Sequence, residues 1–297
     1  MKKLRIGYFA DGPWAHKALA KMVSCELIEI AFICARNDIP DPFLKSEAKR
    51  LMVEFVTHPN INSIEFIEFL KRNACDLFVS MSFNQIFKFE VLSLPPLKTI
   101  NCHAGKLPFY RGRNILNWAL INDEKEFGIT VHYVDEGIDT GDIILQECYE
   151  ITDEDNYSSL LERSYINCSE LLFKSIELLC SGSVKVTKQI DIHPTGTYFP
   201  QRKLGDENLD WKMSSREIFN FVRAISRPGP EARCFIGENE VKINRIELIP
   251  NAPNYKAIPG AVLSKNPSQF IVKTGDSYVK VIEWSSRVHV KVGDRFI

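Results

Sequence analysis

Two side chains near the middle of the chain share a spacing that chemistry can use. Asn101 and His103 stand two apart in "TINCHAGKLPFYRGRNILNW" (99–118). Residues two apart on a strand project from one face, so an amide and an imidazole lie side by side where the apolar run ends. An amide N–H can stabilise a developing oxyanion, and an imidazole can carry a proton near neutral pH. Cys102, between them, points to the opposite face and suits a small buried residue better than a nucleophile. A carboxylate that orients the imidazole completes a general-base arrangement. The stretch "GIDTGD" (137–142) supplies two candidates, Asp139 and Asp142. The plain alternatives are a solvated loop and a histidine with a structural role.

The elements around these residues decide between the readings. "LRIGYF" (4–9), "ELIEIAFICA" (26–35), "CDLFVSM" (75–81), "TINC" (99–102) and "GITVHYV" (128–134) are short apolar strands. "HKALAKMV" (16–23) and "SIEFIEFLKRN" (63–73) have helical spacing, the second with Ile64, Phe66, Ile67, Phe69 and Leu70 on one face. Strands alternating with amphipathic helices predict an α/β fold, a mostly parallel Rossmann-like sheet with flanking helices. Such sheets bind ligands beyond the carboxyl ends of their strands, which is where Asn101 and His103 fall. "GKLPFYRGR" (105–113), broken by Pro108 and two glycines, must be a loop.

Further on, residues 156–182 form one long amphipathic helix with Gly182 at its end, and 183–212 is polar and Gly/Pro-punctuated. Ser214 with Glu217 three residues on is a capping-box pattern. Short alternating runs follow, predicting a small β-rich, open barrel-like domain. The expected division is a catalytic domain over 1–182, a connector and helix over 183–232, and the β-rich domain over 233–297. Its hairpin "QFIVKTGDSYVKVIEW" offers Phe270, Val272, Tyr278, Val279, Val281 and Trp284 as an apolar face that the catalytic domain or a second subunit must cover.

The totals exclude several classes. The chain has 297 residues, 45% hydrophobic and 25% charged, with a net charge of −1. Nucleic-acid binders normally show a basic excess, so no nucleic-acid partner is expected. The amino-terminal apolar run is broken at Arg5 and Asp11, no stretch is long enough to span a membrane, and the eight cysteines form no C-x-x-C pair. A soluble cytoplasmic protein with reduced thiols and no metal is the expectation. "GYFADGPWAHKA" (7–18) does not match the dinucleotide fingerprint, and no P-loop or nucleophile elbow is present.

"INCHAGKLPFYRG" with "GITVHYVDEGIDTGDIILQ" resembles the formyltransferase family that uses N10-formyltetrahydrofolate. The matching positions are Asn101, His103, Pro108, Arg111, Gly112, Asp135, Gly137, Asp139 and Gly141. The resemblance implies a catalytic trio of Asn101, His103 and Asp139. It implies a pterin ring held by the loop Phe83, Asn84, Gln85, Ile86 and Phe87 and by the stretch 134–139, which includes Asp135. "RGRNILNW" and "DENLDWKMSSREIFNFVRAISRPGPEA" are most similar to bacterial nucleotide-sugar formyltransferases. That implies a diphosphate near Lys106, Arg111, Gly112 and Arg113, a base or sugar stacked on Trp14 and Tyr110, and a homodimer. A methionyl-tRNA acceptor is the main rival. A formyl-folate hydrolase is a third reading, disfavoured because such enzymes carry an extra domain before a first strand that here begins at residue 4.

Overall fold

The computed structural model describes residues 3–297. The chain forms two compact units. The first takes the chain up to Gly112, with Phe127–Tyr149 and Glu162–Phe199; the second takes Arg113–Glu126, Glu150–Leu161 and Pro200–Ile297. The segment expected as a connector is therefore shared, residues 183–199 going to the first unit and 200–232 to the second.

In the first unit the strands are β1 (Leu4–Ala10), β2 (Ile28–Ala35), β3 (Glu54–Thr57), β4 (Leu77–Met81), β5 (Thr99–His103), β6 (Arg111–Gly112), β7 (Glu126–Tyr133), β8 (Ile143–Glu150) and β9 (Tyr198–Phe199). Seven of them make one sheet in the order β3-β2-β1-β4-β5-β7-β8, while β6 and β9 pair separately. β1 to β5 run parallel, and β7 lies antiparallel to β5. The chain leaves β1 in one direction and returns on its other side as β4, so the switch point lies between them.

Helices α1 (Gly12–Val23), α2 (Pro42–Leu51), α3 (Ile64–Asn73) and α4 (Phe89–Leu92) connect the early strands. α5 (Ile115–Ile121), α6 (Tyr157–Ser181), α7 (Gln189–Ile192) and α8 (Ser215–Ile225) follow. The α3 face is narrower than expected. Phe66, Phe69 and Leu70 are buried, but Ile64 is 83% exposed, because two residues of helix place it roughly 200° from Phe66. An aromatic cluster anchors this side of the sheet, with Phe9 meeting the rings of Phe32, Phe66, Phe78, Phe83 and Phe87 edge-on. Burying each ring stabilises the fold by about 1.5–3 kcal/mol.

The second unit contains an antiparallel sheet of β10 (Ala232–Ile236), β11 (Asn239–Leu248), β12 (Val262–Asn266), β13 (Gln269–Lys273) and β14 (Tyr278–Ser286), in the order β10-β11-β14-β13-β12. The last residues bridge its two outer strands. Phe235 and Ile297 exchange N–H···O bonds of 3.0 Å, and Val262 N–H donates to Asp294 O at 2.9 Å. Phe270, Val272, Val279 and Val281 are fully buried. Their face is covered inside the unit, by Phe296 and Trp211, whose rings stack at 5.5 Å, with α8 packed on β11. This corrects the expectation that another domain or subunit must cover it. Tyr278, adjacent to Val279, necessarily points the other way and meets Tyr255. The capping box at Ser214 and Glu217 forms with both reciprocal bonds. Among the described residues, no helix is long and apolar enough to cross a membrane, and no cluster of three or more His, Cys, Asp or Glu is arranged to hold a metal ion.

Candidate active site

β5 alternates as its sequence demands: Ile100 and Cys102 are buried, while Asn101 and His103 are half-buried on the opposite face. The antiparallel register sets His132 of β7 directly across from Asn101. Beyond β7 the chain turns through residues 134–142 and returns Asp139 to the same place. Asp139 Oδ2 lies 3.6 Å from His103 Nδ1, and its Oδ1 lies 3.6 Å from His132 Nε2. Asp142 supplies only a backbone carbonyl, to the N–H of Tyr133. Of the two carboxylates weighed from sequence, Asp139 is the one facing imidazoles. His132 was not singled out; its only signal is one imidazole in an otherwise apolar strand, and the register that makes it matter is not written there.

Backbone carbonyls decide the protonation of both rings. His103 Nε2 is 2.7 Å from Tyr110 O, and a carbonyl can only accept, so Nε2 carries the proton. The neutral ring then has its lone pair on Nδ1, toward Asp139. The tautomer is thus set by the Tyr110 carbonyl. In the same way His132 Nδ1 donates to Tyr133 O at 2.7 Å, leaving Nε2 to accept from Asn101 Nδ2 at 3.2 Å. That bond orients the Asn101 amide and leaves its second N–H for a ligand.

Burial by itself raises the Asp139 carboxyl, but a proton on the facing His103 or His132 ring, together with the Gly112 N–H, outweighs it and holds it well below the ordinary carboxylate range. Gly112 donates to Oδ2 at 2.9 Å. It has φ +99°, and a Cβ there would lie 2.1 Å from Phe199 O, so only glycine serves. Gly105 is needed for a different reason: a Cβ would sit 2.5 Å from both His103 Nε2 and Tyr110 O, within the bond that fixes the tautomer. Thr130 Oγ1 donates to Gly105 O, and Gln146 donates to Leu107 O, tying the loop to β7 and β8.

The other residues singled out from sequence divide. Cys102 is buried, its Sγ against Cys168 O. In the loop after β4, Phe83 and Phe87 turn into the aromatic cluster, and Gln85 bonds Ile61 N and His58 O. Ile86 is 54% exposed, and the buried Asn84 Oδ1 has no hydrogen-bond partner. Asp135 Oδ1 accepts from Gly137 N and Thr140 Oγ1, closing the turn that carries Asp139. Tyr110 stacks on Phe199 at 5.0 Å and Trp14 meets Tyr165 edge-on. Lys106 backs onto Gly128, where a Cβ would touch it at 2.6 Å. Arg113 belongs to the second unit and donates to Gln201 Oε1. Arg111, expected to face a diphosphate, spends three of its five N–H bonds on Gln189 Oε1 and Thr195 O.

Residues 9–176 match the family model described as formyl transferase, and residues 203–289 match the formyl transferase C-terminal domain. A methionyl-tRNA formyltransferase of Pelotomaculum thermopropionicum is 33% identical over 248 residues, covering 84% of this chain and 77% of its own length. Two solved structures share the fold at a TM-score of 0.70. One is WlaRD, a sugar 3N-formyltransferase with dTDP and 5-N-formyl-THF, at 23% identity over 98% of this chain and 100% of its own. The other, an N-formyltransferase of Helicobacter canadensis with folinic acid and dTDP-3-aminofucose, has 22% identity over 96% and 100%.

Proposed function

The chain belongs to the formyl transferase family, and we propose that it transfers a formyl group from N10-formyltetrahydrofolate to the amine of a nucleotide-linked amino sugar. The setting is cytoplasmic synthesis of a surface glycan such as lipopolysaccharide O-antigen, by a homodimer. The folate supplies an activated formyl carbonyl. The site's composition fits that co-substrate: an amide N–H free to meet an oxyanion, and, after β4, an unpaired buried acceptor at Asn84 beside half-buried Phe83 that suits the polar edge of a flat ring.

The residues divide the work. Asn101 donates its second N–H to the carbonyl oxygen as charge develops there. His103 takes the amine's proton at Nδ1 while Tyr110 O retains Nε2–H, Asp139 stabilises the resulting imidazolium, and that proton passes to N10 as the oxyanion collapses, the C–N10 bond breaks and tetrahydrofolate leaves. His132 keeps Asn101 aimed. No metal enters.

One observation carries the choice of a small acceptor over tRNA. A polyanion needs unneutralised basic surface. The second unit holds equal numbers of Lys+Arg and Asp+Glu, and several of its cations are paired with its own acids. Arg216 pairs with Asp123 and Asp153, Arg227 with Glu231 and Glu283, Arg233 with Glu207 and Glu240, and Lys280 with Glu247. The test is a panel of nucleotide-linked amino sugars and initiator methionyl-tRNA, each offered with formyl-folate and read by mass spectrometry. Formylation of a sugar and not of the tRNA is expected. Efficient formylation of the tRNA alone establishes the second reading, which the 33%-identical relative favours. Rapid formate release without any acceptor identifies a hydrolase.

A further inference from the structure

We propose that Gln189 is a positioning residue for formyl transfer: together with Arg111 it holds residues 139–141 so that Asp139 faces His103 and His132. The residue opens α7, in a segment that reads from sequence as a connector, and is only 3% exposed. Its amide is fully used. Nε2 donates to Asp139 O at 2.8 Å and to Gly141 O at 2.7 Å. Oε1 accepts from Arg111 Nε at 3.0 Å and from Arg111 Nη2 at 2.7 Å. Two donors and two lone pairs exhaust a glutamine side chain. Glutamate would turn an oxygen toward two carbonyls, and an aliphatic side chain would leave four polar partners unmet.

Asp139 needs such support. Its φ is +54°, in the left-handed region that strains a non-glycine residue, aspartate less than most. Two clamps act on it. Gln189 grips the backbone carbonyl, and Gly112 N–H grips carboxylate Oδ2 at 2.9 Å. Both trace to one dipeptide, since Arg111 holds Gln189 and Gly112 is its neighbour. That dipeptide is fixed in turn by β6–β9 pairing, Arg111 with Tyr198 and Gly112 with Phe199, and by Arg111 Nη1 on Thr195 O. An aspartate, a glutamine 50 positions later and an arginine 78 positions before that glutamine thus form one brace. On this account Arg111 acts inside the protein and not on a substrate diphosphate.

The inference rests on the formyl-transfer reading for its kinetic arm only. The full chain, labelled with 15N-histidine, is compared as wild type, Gln189→Leu, Gln189→Glu and Arg111→Lys, first without ligand. Displaced imidazole resonances of His103 and His132 in the Gln189 variants are expected. Unchanged resonances in folded Gln189→Leu overturn the proposal, whatever the acceptor proves to be. With formyl-folate and the acceptor that the panel identifies, Gln189→Leu should lower kcat about 10- to 100-fold, the cost of misplacing a catalytic group, with both KM values within about threefold. In an Asp139→Asn background the same substitution should add less than about twofold, because its effect passes through that carboxylate. An undiminished loss in that background overturns the proposal. So does an Arg111→Lys variant that raises the acceptor KM and keeps kcat. If Gln189→Leu does not fold, Gln189→Glu and Arg111→Lys carry the same comparisons.

Discussion

Replacing Asp139 by asparagine removes one negative charge and almost no volume. The Gly112 N–H keeps a partner, because the asparagine oxygen can accept it. What disappears is the attraction between the carboxylate and a proton arriving on His103. The separation is 3.6 Å. At an effective dielectric of about 20 this amounts to about 4–5 kcal/mol for full unit charges. The transition state carries part of that charge, so about 2–4 kcal/mol is at stake, a fall in kcat of roughly 30- to 10³-fold. Substrate affinity should change little, since the charge acts on a proton that moves only during the reaction. The pH profile adds a second condition. Burial would raise the Asp139 carboxyl, yet a proton on either facing imidazole, together with the Gly112 N–H, holds it well below the ordinary range. Above pH about 4, the reference for a free carboxyl, it is ionised, so no limb of the wild-type profile in the neutral region belongs to it. Steady-state formation of tetrahydrofolate across pH 5–9 measures both points. A folded Asp139→Asn enzyme that keeps kcat within about threefold of wild type refutes the assigned role.

Two further outcomes test the second unit. Phe296, 2% exposed and ringed by Trp211 and Phe270, closes the barrel, so Phe296→Ala should cost about 3–5 kcal/mol; urea unfolding followed by tryptophan fluorescence should show a lower midpoint, and a loss under about 1 kcal/mol contradicts the closure. Asp123 is lowered to about 2, chiefly by its hydrogen bond to Arg216. A carboxyl lowered on folding stabilises above its unfolded value of about 4, and that stability is lost as pH falls through the folded value. With the side chain 36% exposed, screening limits the contribution to about 1 kcal/mol. Asp123→Asn should therefore melt below wild type at pH 7 and converge with it near pH 2; a gap that persists in acid contradicts the pairing.

How much of this was legible beforehand depends on whether a property is local. Alternation along β5 puts Asn101 and His103 on one face whatever the fold does, and burial of Ile100 and Cys102 follows from the same pleat. The capping box at Ser214 needs only three residues of spacing, and it formed. Chain-length periodicity likewise marks the parallel sheet. What could not be read is which partner each polar group finds across the fold. His132 reaches Asn101 through an antiparallel register between β5 and β7, and nothing in "GITVHYV" states that register. The apolar hairpin was seen, but its cover was Phe296, the penultimate residue, which becomes visible only when the barrel closes.

The chemistry itself turns on such partners. An imidazole, an amide and a carboxylate make a plausible base from composition alone, yet which nitrogen carries the proton depends on two backbone carbonyls, Tyr110 O and Tyr133 O. Every residue type has a carbonyl, so no side-chain pattern can announce that choice. The same holds for Arg111. Its place in a recognisable motif suggested a phosphate ligand, while its partner, Gln189, stood in a stretch with no pattern at all. A motif residue can therefore hold its neighbours in place through partners that the motif does not name. The backbone of the carboxylate that faces His103 is hydrogen-bonded by a glutamine that no sequence pattern marks.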